Sequence, residues 1–194
     1  MAPRGASNGI PTGDGAGPGS FFDLQNVQVL KGPQGTLFGR NTTGGAVLLV
    51  PQKPTSEFGG YVEASGGNYD MWRVQSVLNA PLNDKIRVRL GVDHQSRNGY
   101  MINTSGVGPR DFADVDYTAL RASVVVDILP DLENYTIASY SNSDTNGNPQ
   151  KLIATTGTGL GAFAVQQLAN QGQNFYDFQQ DLSDAYSKLN QWQV

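Results

Sequence analysis

Two glycine clusters are the first places where this sequence could do chemistry. VQVLKGPQGTLFGRNTTGGAVLLVPQKP, Val27 to Pro54, sets two short β-like runs around a loop rich in Gly, Thr and Asn. A phosphate-binding loop needs G-x-x-x-x-G-K-[ST], because its Lys and hydroxyl hold phosphate and magnesium. Here only three residues separate Gly35 from Gly39, and Arg40-Asn41 follows, so that grip is missing. Further on, KLIATTGTGLGAFAVQQLAN reads as strand, G-x-G-x-x-A (Gly157, Gly159, Ala162), then helix, with Asp177 twenty residues past Gly157. This is the outline of a dinucleotide fingerprint. Its strand is short, no second apolar strand follows, and the preceding residues alternate as antiparallel strands do. A nucleotide-dependent enzyme using Gly157–Ala162 is the least favoured reading.

The other reactive side chains are few. With no Cys, thiol catalysis, Cys-ligated zinc and disulfides are excluded. A single His, His94, cannot build a His-rich metal site, and it sits on an apolar strand face, where a packed or interfacial ring is the simpler reading. Asp111, Asp114 and Asp116 cluster and could hold a cation weakly; a solvated loop explains them as well. No carboxylate pair can be assigned to acid–base work. Phe175, Tyr176, Phe178, Tyr186 and Trp192 could line a substrate path or pack a loop. No catalytic residue, metal or cofactor is expected.

The elements that would position these residues are strands. The 194 residues include 24 Gly, with 38% hydrophobic and 15% charged residues, a balance that favours turns and strands over helices. The net charge of −4 argues against nucleic acid, which needs clustered Lys and Arg. There is no apolar run long enough for a membrane helix, which leaves barrel strands open, since only every second residue of those is apolar. The N-terminal twenty residues read as a Gly/Pro/Ser loop without a charged-then-apolar signal pattern.

From Lys85 to Arg97 the chain alternates strictly. Lys85, Arg87, Arg89, Asp93, Gln95 and Arg97 fall on one face; Ile86, Val88, Leu90, Val92 and His94 fall on the other. At about 3.3 Å per residue this spans about 43 Å, long for a globular strand and suited to a tilted barrel strand. Tyr69–Leu82 and Asp116–Ile128 alternate similarly, with Arg73, Gln75, Asn79, Arg121, Ser123 and Asp127 on the polar sides. Glu57–Gly66 and Leu132–Ser143 follow more weakly, and another strand is expected at the C-terminus. PLNDK (81–85) and LPDLE (129–133) are tight turns, whereas residues 99–114 and about 144–189 are long loops, the latter with a helix candidate at Gly161–Gln171. Short turns on one side and long loops on the other suit an outer-membrane barrel. Tyr69, Trp72, Tyr100, Tyr117, Tyr135 and Tyr140 are expected as interfacial girdle residues, with ordinary core packing as the alternative.

The opening stretch closely resembles the end of the plug domain of TonB-dependent outer-membrane receptors. Val27, Val29, Leu30, Gly32, Pro33, Gly35, Leu37, Phe38, Gly39, Gly44, Gly45, Ala46, Val47, Val50 and Pro54 match the family pattern as they stand. GNYDMWR, PLNDKIRVRLG and NGYMIN look like its first barrel hairpins, so the resemblance runs from about Phe21 to Val194. Two departures stand out. Lys31 replaces the usual Arg before Gly-Pro, which would weaken a pairing with barrel carboxylates that the family makes with Arg. Leu48-Leu49-Val50-Pro51 replaces the usual Asn-[IV]-[IV]-Thr ending.

The resemblance implies an all-β-dominated fold: about five or six strands of a transmembrane antiparallel barrel of about 22, with the C-terminal part of a plug. Residues 1–56 would belong to the plug, where the loop joins strands of a small mixed sheet, and residues 57–194 to the barrel. Lys31, Gly32, Pro33, Gly35, Gly39, Arg40, Gly44 and Gly45 would serve structure or gating of the plug. Arg73, Arg87, Arg89, Arg121 and Asp127 would face the lumen. The parent would sit in the outer membrane of a Gram-negative bacterium and take up an iron–siderophore or another scarce nutrient. Its partners would be outer-membrane lipid, that nutrient and the periplasmic protein TonB, whose binding box is not in this sequence. The chain is expected to be a piece of such a receptor that does not itself transport. A soluble β-rich binding or adhesion module is the second reading.

Overall fold

The computed structural model describes residues 10–11, 19–38, 44–148, 159–163, 174–179 and 186–194. Near the N-terminus, β1 (Ile10–Pro11), β2 (Leu24–Lys31) and β3 (Gly45–Pro51) form a small sheet in the order β1-β3-β2, with a helical turn, α1 (Gly35–Phe38), between β2 and β3. A mixed sheet was the expectation here. Both described pairs are antiparallel instead, because the glycine loop folds β2 and β3 into a hairpin. Gly45 shows why a glycine stands at its closing end. Its φ is 140°, and a Cβ there would lie 2.4 Å from the Leu30 carbonyl oxygen.

Most of the chain forms one antiparallel sheet. β4 (Gly59–Gly67), β5 (Met71–Pro81), β6 (Ile86–Arg97), β9 (Val115–Leu129), β10 (Leu132–Thr145) and β12 (Ser187–Gln193) run in the order β12-β10-β9-β6-β5-β4. The alternation predicted for residues 85–97 appears as β6, flanked by β5 and β9 as expected. The register keeps like with like. Ser76 opposes Val92, Leu78 opposes Leu90, and Leu90 opposes Ala122 on one face; Gln75 opposes Asp93 and Asn79 opposes Arg89 on the other. The PLNDK turn closes locally: the Asn83 side-chain oxygen accepts from the Lys85 and Ile86 N–H groups, at 2.9 and 2.8 Å.

The segment expected as a long loop at 99–114 carries structure of its own. β7 (Met101–Asn103) pairs antiparallel with β8 (Asp111–Phe112) and parallel with β11 (Asp177–Phe178). Strands of two or three residues are too short to display alternation, so the sequence offers no period to detect. Of the helix candidate at 161–171, residues 161–163 belong to a helical turn at 160–163, and the rest lies outside the described residues.

Candidate functional site

The two faces of the large sheet are built oppositely, and the polar one is covered. Residues 19–23 and 52–57, which flank the small sheet, lie on the face that carries Gln75, Asn79, Arg89, Asp93, Arg121 and Ser123. Asp93 is fully buried there and Asn79 is 2% exposed, whereas Leu78, Leu90 and Leu120 on the other face are 45%, 48% and 45% exposed.

Phe22 and Asp23 make the first contact. The Phe22 ring is buried with Tyr117 and Ala119. It lies above Gly91, where a Cβ would meet the ring at 2.7 Å, so only glycine leaves the slot open. The Arg121 guanidinium sits 4.5 Å from the ring centroid, and its Nη1 donates to the Phe22 carbonyl at 2.8 Å. Beside it, the Asp23 carboxylate receives the Arg89 fork, with Nε at 2.8 Å. Asp23 itself has φ 50°, a left-handed conformation that Asp tolerates better than most residues.

A second contact holds residues 53–57. The Asn79 side chain accepts from the Thr55 N–H at 3.0 Å and donates to the Thr55 carbonyl and hydroxyl and to the Glu57 carbonyl. Lys53 pairs with Glu133 and lies 5.6 Å from the Tyr135 ring centroid. Arg87 bonds Asp127 at 2.6 Å and also reaches Glu133 at 3.3 Å. Beyond the first contact, on the side away from the second, Asp93 accepts the Arg73 fork at 2.8 and 2.9 Å and the Tyr117 hydroxyl at 3.0 Å. Short paired forks of this kind are how a buried carboxylate is tolerated.

The candidate residues distribute as follows. Arg73, Arg87, Arg89, Arg121 and Asp127 all share the covered face, and Arg87 bonds Asp127 directly. Lys31 ends β2, is exposed, and forms no ion pair among the described residues. Gly32 has φ 84°, Pro33 follows it, Gly35 opens α1 and Gly44 leads into β3. Gly39 and Arg40 lie outside the described residues. The girdle assignment needs correction for two tyrosines. Tyr117 and Tyr135 lie on the covered face, because odd positions of β9 and β10 face the same way as Arg121. Trp72 and Tyr140 lie on the apolar face, packed against His94 at 4.6 Å and Trp192 at 4.3 Å. Tyr69 packs against Tyr100 beyond the strand ends.

The remaining candidates pack rather than converge. His94 Nδ1 lies 2.9 Å from the Thr118 hydroxyl. Asp111 accepts from the Gly99 N–H and Asp114 from the Asn146 N–H, so both carboxylates tie loops together. Burial pushes the Asp114 carboxyl above the usual range, against the pull of the Asn146 N–H. Among the described residues no group of three or more His, Asp or Glu converges as a metal site. Gly157 lies outside the described residues, and Asp177 belongs to the two-residue parallel pair with β7. Phe178 packs on Phe112 and Tyr176 on Tyr100. Phe22, Asp23, Lys53, Thr55, Asn79 and Glu133 had no signal as site residues in the sequence. Asn79 and Asp93 were placed on the polar faces by alternation alone.

No family model matches the chain. It is 40% identical over 65 residues to the pesticin receptor of Yersinia enterocolitica, covering 34% of this chain and 10% of that protein. It is 31% identical over 110 residues to the metal-pseudopaline receptor CntO of Pseudomonas aeruginosa, covering 56% of this chain and 14% of that one. Among solved structures, the ferric yersiniabactin uptake receptor FyuA of Yersinia pestis superposes with a TM-score of 0.57 at 29% identity, over 63% of this chain and 20% of that chain. The outer-membrane receptor FpvA of Pseudomonas aeruginosa, bound to pyoverdine, gives 0.57 at 26% identity, over 69% and 19%. The chain thus spans about a tenth to a seventh of the length of these curated relatives.

Proposed function

Because part of this chain is homologous to TonB-dependent outer-membrane receptors, which are not enzymes, we propose that it supplies the end of the plug and the first barrel strands of such a receptor. On this reading residues 1–56 belong to the plug and residues 57–194 to the barrel wall. Arg73, Arg87, Arg89, Arg121 and Asp127 face the lumen, and the loop from Lys31 to Gly45 is part of the plug that moves or gates. The parent receptor takes up an iron–siderophore or another scarce nutrient across the outer membrane, drawing on TonB, and this portion alone does not transport.

The observation that carries the reading is inverted polarity. A soluble sheet buries its apolar face, whereas here Asp93, Asn79, Arg121 and Ser123 are buried and Leu78, Leu90 and Leu120 are exposed. A barrel wall around a polar lumen requires that inversion. The test uses single spin labels at Val88 and Arg89, adjacent residues on opposite faces of β6, in lipid-reconstituted protein. Val88 should collide with oxygen dissolved in the bilayer, and Arg89 should be shielded from it. The opposite pattern would exclude the barrel orientation and favour a soluble binding module.

A further inference from the structure

β6 is followed at once by an Asn-Gly pair, Asn98-Gly99, where the 99–114 loop begins. Asn-Gly is the dipeptide most prone to cyclise, because a glycine without Cβ leaves its own nitrogen unshielded towards the preceding side-chain amide. The glycine cannot be exchanged here: a Cβ on it would lie 2.3 Å from the Phe112 carbonyl oxygen. The asparagine is exposed and the glycine buried. We propose that Asn98 is a guarded deamidation site, kept intact by Asp111 and Asp70, whose conversion holds the 99–114 loop away from the β4–β5 turn.

Two carboxylates hold the groups that would react. The Gly99 N–H, on the attacking nitrogen, donates to Asp111 Oδ2 at 2.9 Å. Asn98 Nδ2, the leaving group, donates to Asp70 Oδ2 at 2.8 Å, and the Asn98 N–H donates to the Tyr69 carbonyl at 2.9 Å. In the reaction the Gly99 nitrogen bonds Asn98 Cγ, the Cγ–Nδ2 bond breaks, and Nδ2 leaves as ammonia with the Gly99 proton. Water then opens the cyclic imide to aspartate or isoaspartate. The Asp111 carboxylate favours the proton on nitrogen, so the attack waits until the loop opens locally. Either product places a carboxylate where the amide met Asp70, and a hydrogen bond becomes two like charges in contact. The turn being closed is itself strained, since Tyr69 and Asp70 both have left-handed backbones, at φ 61° and 54°. An irreversible step at this point records an opening of the loop and opposes its return. The site does not depend on which face of the sheet meets lipid.

The chain folded in detergent and a synthetic peptide of residues 94–102 are incubated at mildly alkaline pH, and conversion at residue 98 is followed by peptide mass spectrometry. The chain should convert at least about tenfold more slowly than the peptide, the factor that one hydrogen bond to a charged group supplies. Asp111→Ala should bring the rate close to that of the peptide. Asp111→Asn keeps an acceptor without the charge and should fall between. Asn146-Gly147 is the internal reference: the Asn146 Nδ2 donates to the Asp111 backbone carbonyl and its N–H to Asp114, so it should not respond to the Asp111 side chain. Asn98→Asp imitates the product and should speed hydrogen exchange at residues 98 and 99 while circular dichroism retains the strand signal. Chain and peptide converting equally fast, or Asp111→Ala converting no faster than the unaltered chain, would overturn the guard. So would acceleration at Asn146 together with Asn98, or loss of the strand signal, since these point to general unfolding. Unchanged exchange in Asn98→Asp would overturn the effect on the loop.

Discussion

Asn79 shows how much one side chain does on the covered face. It satisfies the Thr55 N–H and bonds three acceptors of residues 55–57, so it fixes the direction in which the chain enters β4. Asn79→Ala would leave the Thr55 N–H without its partner. The expected loss is about 1–3 kcal/mol, the desolvation cost of an unmade buried hydrogen bond. It should appear as a lower urea midpoint in detergent and faster hydrogen exchange at Thr55. The Arg73–Asp93 and Arg87–Asp127 pairs share no hydrogen bond with Asn79 and should remain intact, so the loss is expected to be local.

At the scale of the strand, β6 has one face for each environment. Val88 opposes Ala80 and Val124 on the apolar face, while Arg89 opposes Asn79 and Ser123 on the covered one. Val88→Arg should therefore disfavour insertion by about 2–4 kcal/mol if the residue lies near the bilayer midplane. Arg89→Gln should leave insertion nearly unchanged, because in the proposed orientation its side chain is turned away from lipid; its effect falls on the Asp23 contact. Partitioning of each variant between liposomes and urea measures the difference. Equal penalties for the two substitutions would contradict the assignment of faces.

The whole molecule carries an exposed apolar face and open edges. β4 and β12 end the large sheet, so each has one side without a neighbouring strand among the described residues. Trp192 on β12 is 79% exposed. Unpaired edges template association, and a contiguous apolar face of this extent exceeds what soluble monomers tolerate. Residues 1–194 expressed without detergent should therefore elute as large aggregates on size-exclusion chromatography, and detergent should be needed to recover a defined species. A sharp monomeric peak with cooperative unfolding would favour the soluble binding module over the barrel reading.

The sequence by itself determined which residues share a face. Alternation is a local property of an extended chain, so it placed Arg73, Arg87, Arg89, Arg121 and Asp127 together before any pairing was known. It also marked the tight turns and a glycine loop between two strands from Lys31 to Gly45, but that those strands pair as an antiparallel hairpin came only with the structure. What only the tertiary structure decided is which face is covered and by what. Asp23 meets Arg89 across 66 residues, and Lys53 meets Glu133 across 80. Each is a single residue with no period around it, so no local pattern marks it. The same holds for Tyr117 and Tyr135. Their position along the strands suggested an interface with lipid, but the parity of the register turned them towards the ion pairs. The short strands β7, β8 and β11 escaped for a related reason: a two- or three-residue strand exists only through its partners, and those lie far along the chain.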